Sequence, residues 1–325
     1  MAFQAVEALL TAAGDKPLWQ AVREDDCRDR GADRAESWAK MSALWSAMVC
    51  SVRDYDGTRR SASGLVGGGG AQMEHAGETL CGPFMQAVIS TALKTGECNA
   101  CMGRIVAAPT AGASGVMPAV LLPVQEKFRL PDEAMIQALY VAAGFGQVIA
   151  TRASISGAEG GCQAECGVAA AMAAAAAVQM AMGSPGQSMH AVSFALMNSM
   201  GLVCDPVAGL VQVPCAQRNA SQTANALLSA DLALAGMTSV IPADQVVEAM
   251  YRVGRQLPME LRETAMGGIA ATEAGRGYAK RLAGETQAVG KSTLEATAFL
   301  TLLRILSNFN LFHAISCAFF LVVLY

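Results

Sequence analysis

Apolar residues recur at three- and four-residue spacing along most of the chain, and strict apolar–polar alternation is nearly absent. That spacing predicts helices over "ESWAKMSALWSAMVCSVRDY", "GPFMQAVISTALKTG", "VMPAVLLPVQEKF" and "PDEAMIQALYVAAGFGQVIATRAS". The last begins after Pro131 with Asp132 and Glu133 in its first turn, where a helix dipole favours carboxylates. "SPGQSMHAVSFALMNSMG", "NASQTANALLSADLALAG" and "PADQVVEAMYRVGRQLPMEL" continue the series. "VAAAMAAAAAVQMAMG" is apolar on every side, so it must be buried all round. A short strand is expected in "GRIVAAP". The predicted class is all-α: a helical domain around a buried alanine-rich helix.

Glycine-rich loops interrupt this pattern and carry most of the polar chemistry: "DGTRRSASGLVGGGGAQM", "NACMGRIVAAPTAGASG" and "SISGAEGGCQAECG". Backbone N–H groups exposed at a glycine turn that opens a helix favour an anion. Pro109–Gly115 and Ser156–Gln163 both fit that description; the plain alternative is that glycine merely lets helices approach closely. A fourth loop, Gly201–Asn219 ("GLVCDPVAGLVQVPCAQRN"), is broken by glycine and proline and holds Cys204, Asp205 and Cys215. Residues 1–35 read as an amphipathic helix and a charged linker, 36–283 as the main domain, and 284–325 as an atypical apolar tail.

Composition narrows the functional classes. The net charge is −4, only 15% of residues are charged, and no Lys/Arg run or aromatic cluster occurs, which argues against nucleic-acid binding. The opening "MAFQAVEALLTAAGDKPLWQ" lacks a secretory signal pattern, so a cytoplasmic location and reduced thiols are expected. The tail "LFHAISCAFFLVVLY" is shorter than the roughly 20 residues of a spanning helix. Arg304, Asn308, Asn310 and His313 interrupt any longer window. A buried or interfacial terminal helix is favoured there over membrane contact.

Ten cysteines and three histidines remain to be placed. Zinc would need paired short spacings; Cys98 and Cys101 form one C-x-x-C without a second pair, and His75, His190 and His313 are isolated. Pyridoxal phosphate would need a partnered lysine, and Lys40, Lys94, Lys127 and Lys280 occupy ordinary helical or linker contexts. Iron–sulfur ligation instead gathers thiolates from distant loops. Cys162 before the buried helix, with Cys204 and Cys215, offers three. Three thiolates leave one iron of a cubane cluster open to substrate.

"NACMGRIVAAPTAGASGVMPAVL", "SISGAEGGCQAECG", "GLVCDPVAGLVQVPCAQRNA" and "LRETAMGGIAAT" closely resemble the alpha chain of iron–sulfur-dependent L-serine dehydratase, over about residues 36–283. The resemblance implies a helical catalytic domain with a 4Fe-4S cluster on Cys162, Cys204 and Cys215. It implies dehydration and deamination of L-serine to pyruvate and ammonia, with the open iron acting on the substrate hydroxyl. Thr110, Ser114 and Asn99 are the candidates for handling the substrate carboxylate, with the backbone at Gly112 and Gly115. Arg218 and Asn219 would tune the cluster through charge and hydrogen bonds. Cys166 and the Cys98–Cys101 pair match no family ligand, and Cys27, Cys50 and Cys81 are given no role.

The family's Ser-Ser-His-Thr histidine, thought to complete the site as base, is missing from this sequence. The resemblance therefore implies a separate beta chain that supplies it, within an oligomer. In some members a C-terminal cysteine caps the open iron; Cys317 is not terminal, so that device is not expected. Rival readings are a related lyase for L-threonine or L-cysteine, a non-catalytic iron–sulfur protein, and a membrane-attached helical protein.

Overall fold

The computed structural model describes residues 3–290 and 322–324, with side chains described to residue 284. Thirteen α-helices carry the described chain: α1 (Val6–Ala13), α2 (Leu18–Arg30), α3 (Arg34–Arg53), α4 (Gly69–Glu74), α5 (Gly82–Ala100), α6 (Val116–Phe128), α7 (Asp132–Arg152), α8 (Gly157–Gly160), α9 (Val168–Met180), α10 (Pro185–Ser199), α11 (Cys215–Leu234), α12 (Ala243–Gln256) and α13 (Glu273–Gly290). The fold is all-α. Its small β element is β1 (Ile105–Ala107), the short strand expected in "GRIVAAP". Its backbone pairs antiparallel with β2 (Val322–Leu324), Ile105 opposite Leu324. The rest of the apolar tail, with His313 and Cys317, lies outside the described residues.

Local chemistry explains the boundaries. Pro131 caps α7 and Asp132 and Glu133 fill its first turn. Ser184 starts α10 through a reciprocal capping box with Gln187, which satisfies two end donors at once. Asp33 caps α3 by accepting the Glu36 N–H at 2.8 Å. Residues 1–35 depart from the helix-plus-linker expectation, because the charged stretch is itself helical as α2. Its polar face conceals two buried acids: Asp26 accepts from Ser37 at 2.6 Å and pairs with Arg30, and Asp25 pairs with Arg28. Val22 on its apolar face is fully buried, like Val6 and Leu9 of α1.

At the centre lies α9, in which every residue but Gln179 is buried. It is packed by α7, α10, α11 and α6. Alanine permits this because its side chain loses no rotamer freedom and keeps neighbouring axes close. At the α7 crossing a Cβ on Gly146 would meet the Met172 sulfur at 2.8 Å, so glycine is required there. α7 is apolar and long enough to cross a membrane by composition, yet 78% of its apolar window is buried in the protein; it is a core helix. α5 joins this core through α11 and α6 and carries α4 on its other side. The N-terminal ends of α6, α9 and α11 carry the loops singled out by the sequence.

Candidate functional site

Four segments meet at Gly112. Asn219 of α11 donates to the Gly112 carbonyl at 2.6 Å. A Cβ on Gly112 would lie 2.5 Å from Glu165 Oε1 and 3.1 Å from Val211. Glycine is thus required where the 109–115 loop, the start of α9, the N-terminus of α11 and the 201–214 loop close on one another. Asn219 fastens this junction: it also accepts the Gly115 N–H at 2.8 Å and donates to the Cys215 carbonyl at 2.7 Å. Expected to tune the cluster, its side chain is fully used in joining two backbones.

The segment between α8 and α9 is a π-helical turn, Gln163–Gly167. Such turns insert a residue into a helix and concentrate at functional sites. This one ties down through Gln163, which donates to the Met250 carbonyl and accepts from the Gly201 N–H, both at 2.9 Å. It carries Glu165 and Cys166 into the interior beside Cys162. Cys204 is held by a short bridge to the 259–271 segment: its N–H donates to the Leu261 carbonyl at 2.9 Å, and its carbonyl accepts from the Glu263 N–H at 2.7 Å. Cys215, expected on the loop, is instead the first residue of α11 after Pro214, because proline suits a helix start.

Cys162, Cys204 and Cys215 are all buried, and each lies within electrostatic reach of the other two. Burial pushes the Cys204 and Cys215 thiols well up, and Glu165 and Glu263 add to the effect. Cys162 is lowered, chiefly by a hydrogen bond from the Cys166 thiol, with help from Arg218. Arg218 is placed by hydrogen bonds to the Val203 carbonyl and Asp205 Oδ1, both at 2.7 Å. Asp205 Oδ2 in turn accepts the Ile269 N–H at 2.8 Å. Arg218 thus puts a fixed positive charge within reach of Cys162 and Cys215.

The proposed anion loops look different in three dimensions. In Pro109–Gly115 the N–H groups of Ala113, Ser114 and Gly115 already have protein acceptors. Thr110 donates to Glu165 Oε1 at 2.5 Å, and Asn99 donates to the Ala111 carbonyl at 3.2 Å. The hydroxyl of Ser114 remains, buried and without a partner. At the start of α8 the Ala158 N–H is taken by the carboxylate of Glu263. His75 ends α4 on the surface, and His190 accepts the Ser239 N–H at 3.2 Å.

Glu165 and Glu263 were missed. A lone acid immediately before thirteen apolar positions was a usable signal for Glu165; nothing local marks Glu263. Burial, then the facing Glu263, holds the Glu165 carboxyl up at about 7. The folded chain therefore keeps a proton that the unfolded chain, near 4.5, releases earlier. Stability contributed by this group is full below about 4.5 and is lost as pH rises through 7. The iron-free chain is expected to gain about 1–3 kcal/mol between pH 8 and pH 5 relative to Glu165→Gln, read as the difference between their thermal melts.

Three buried thiols from separate segments are a donor set of the kind an iron–sulfur cluster takes. Among the described residues no three His, Cys, Asp or Glu side chains crowd together as one metal ion requires. A cubane spreads its thiolates over a larger body than a single ion. Cys204 and Cys215, buried near carboxyls, are poor anions by themselves, and a strongly cationic centre would make them thiolates.

The sequence pattern of the family described as "Serine dehydratase alpha chain" matches residues 14–270. The chain belongs to that family. It is 52% identical over 227 residues to the probable L-serine dehydratase alpha chain of Bacillus subtilis, covering 69% of this chain and 76% of that one. It is 50% identical over 202 residues to the L-serine dehydratase alpha chain of Peptoniphilus asaccharolyticus, covering 62% and 69%. L-serine dehydratase TdcG of Escherichia coli is 45% identical over 182 residues, 55% of this chain but 40% of its own. Alpha-chain relatives are thus matched over most of their length, whereas TdcG carries a long segment beyond the shared part. For a serine dehydratase alpha chain, the junction at Gly112 is where the matched region brings its buried thiols and carboxyls together.

Proposed function

We propose that this chain is the alpha subunit of an iron–sulfur-dependent L-serine dehydratase, converting L-serine to pyruvate and ammonia. The observation that carries the reading is the gathering of Cys162, Cys204 and Cys215, from three separate segments, into one buried site. When bound there by three thiolates, a 4Fe-4S cluster supplies an open iron as Lewis acid for the substrate hydroxyl. The free Ser114 hydroxyl donates to the substrate carboxylate. Thr110 aligns Glu165 by its hydrogen bond, and the Arg218–Asp205 pair fixes positive charge beside two of the sulfurs. Loss of the α-proton and of water gives 2-aminoacrylate, whose imine tautomer hydrolyses to pyruvate and ammonia.

The α-proton needs a base, and neither described histidine faces the site. A separate beta chain supplies it in this proposal, in keeping with the "alpha chain" names of the relatives. The nine described cysteines are free thiols, which suits a reducing cytoplasm. The test is anaerobic reconstitution with iron and sulfide, with and without the beta chain. Pyruvate from L-serine is expected only from the iron-loaded pair. Full turnover without iron, or none from the loaded pair, would sink the proposal.

A further inference from the structure

Cys98 and Cys101 lie outside the site, at the joint between α5 and the segment that leads to the 109–115 loop. Cys98 is in the last turn of α5 and Cys101 caps its end; both are free, half-buried thiols. The Cys101 N–H still donates to the Glu97 carbonyl at 2.9 Å. Helical register is therefore kept, and it sets the two Cα atoms about 5 Å apart. That separation falls inside the roughly 4.4–6.8 Å that a disulfide spans. The Cys101 thiol is also near enough to act on that of Cys98. We propose that Cys98 and Cys101 close a reversible disulfide, and that closing it loosens the 109–115 loop. The inference stands independently of the dehydratase reading.

Contacts on the page link the pair to the loop. The Cys98 thiol donates to the Arg104 carbonyl at 3.6 Å, fastening the turn that enters β1. That turn is folded directly onto the sulfur: a Cβ on Gly103 would lie 2.4 Å from Cys98 Sγ. Met102 is held there at φ +59°, which an L-residue adopts at a cost. Asn99, between the two cysteines, donates to the Ala111 carbonyl at 3.2 Å. A disulfide takes the proton from Cys98 and turns its sulfur toward Cys101, so the Arg104 carbonyl loses that donor. Because the loop carries Thr110 and Ser114, the redox state of the pair reaches the site. Arg59 assists the chemistry: it donates to the Cys101 carbonyl at 2.9 Å and favours the Cys101 thiolate against burial. The oxidant is a small disulfide such as oxidised glutathione. One thiolate attacks it, releasing one glutathione and leaving a mixed disulfide, and the second thiolate displaces the other glutathione. Two thiols thus lose two protons and two electrons, and oxidised glutathione becomes two glutathione thiols.

The test treats the full-length chain with oxidised glutathione under anaerobic conditions and maps its unreduced peptides by mass. The peptide holding Cys98 and Cys101 should come out lighter by two hydrogens and regain them with dithiothreitol. Amide exchange over residues 104–111 should quicken about three- to tenfold in the oxidised chain, the worth of one net hydrogen bond, and return on reduction. In Cys98→Ser, where no pair remains, the oxidant should leave this exchange rate unchanged. Absence of a bond between Cys98 and Cys101 would overturn the proposal, as would a bond that forms without faster exchange. Equal quickening in Cys98→Ser would trace the effect to other thiols and overturn it as well.

Discussion

Cys204→Ala is expected to abolish pyruvate formation and to strip iron from the anaerobically loaded protein, while the helical fold survives. Cys204 is one of three separated thiols, and no other described cysteine stands ready to replace it: Cys166 is spent on the hydrogen bond that lowers Cys162. Activity should fall by more than the 10–100-fold typical when a residue merely supporting a ligand is changed. Without iron the Cys204 thiol is held protonated by burial and by the nearby carboxyls. Removing it then costs only the packing of one small group, about 1 kcal/mol. Iron counts, the cluster's visible absorbance and a thermal melt of the iron-free chain together check this. Retained iron with full turnover would remove Cys204 from the site.

Asp205→Ala should produce the largest stability loss. Asp205 is buried, receives Arg218 at 2.7 Å and accepts the Ile269 N–H. Its removal leaves a guanidinium without its counter-charge and an amide without its acceptor. Breaking a buried pair from one side costs about 3–5 kcal/mol, readable as a lower urea midpoint. Asp205→Asn should recover part of this, because an amide oxygen can still serve Ile269. The 259–271 segment fits closely here: Gly268 has φ +56°, and a Cβ there would come within 2.1 Å of Asp205 Oδ2. Because Cys204 precedes Asp205 and Arg218 follows Cys215, Asp205→Ala should also weaken iron retention, an effect absent from equally destabilising changes in α2.

The helices were legible because their apolar periodicity coincides with the faces they bury; α6 begins and ends where "VMPAVLLPVQEKF" does. α9 was legible for the opposite reason, having no polar face at all. α2 was obscured because its charges pair inward, which composition reads as solvation. At the site, motif and spacing pointed to the buried cysteines and to Arg218, whose places the fold now gives. The hydrogen-bond partners of Asn99, Thr110 and Asn219 were not legible, since they are backbone groups and a carboxyl distant in sequence. Likewise the glycine loops looked like anion nests, but the fold satisfies most of their amides itself. Glu263 gains its place only through the bridge to Cys204, a pairing that no local pattern encodes.

That bridge sets an order of events in the cell. Residues 261–263 pin the backbone at 204, so a ribosome-bound chain displays two of its sulfurs well before the third is fixed. If the proposed cluster is carried here, its assembly is expected to wait until translation has passed this point, because a shorter nascent fragment would offer an incomplete nest.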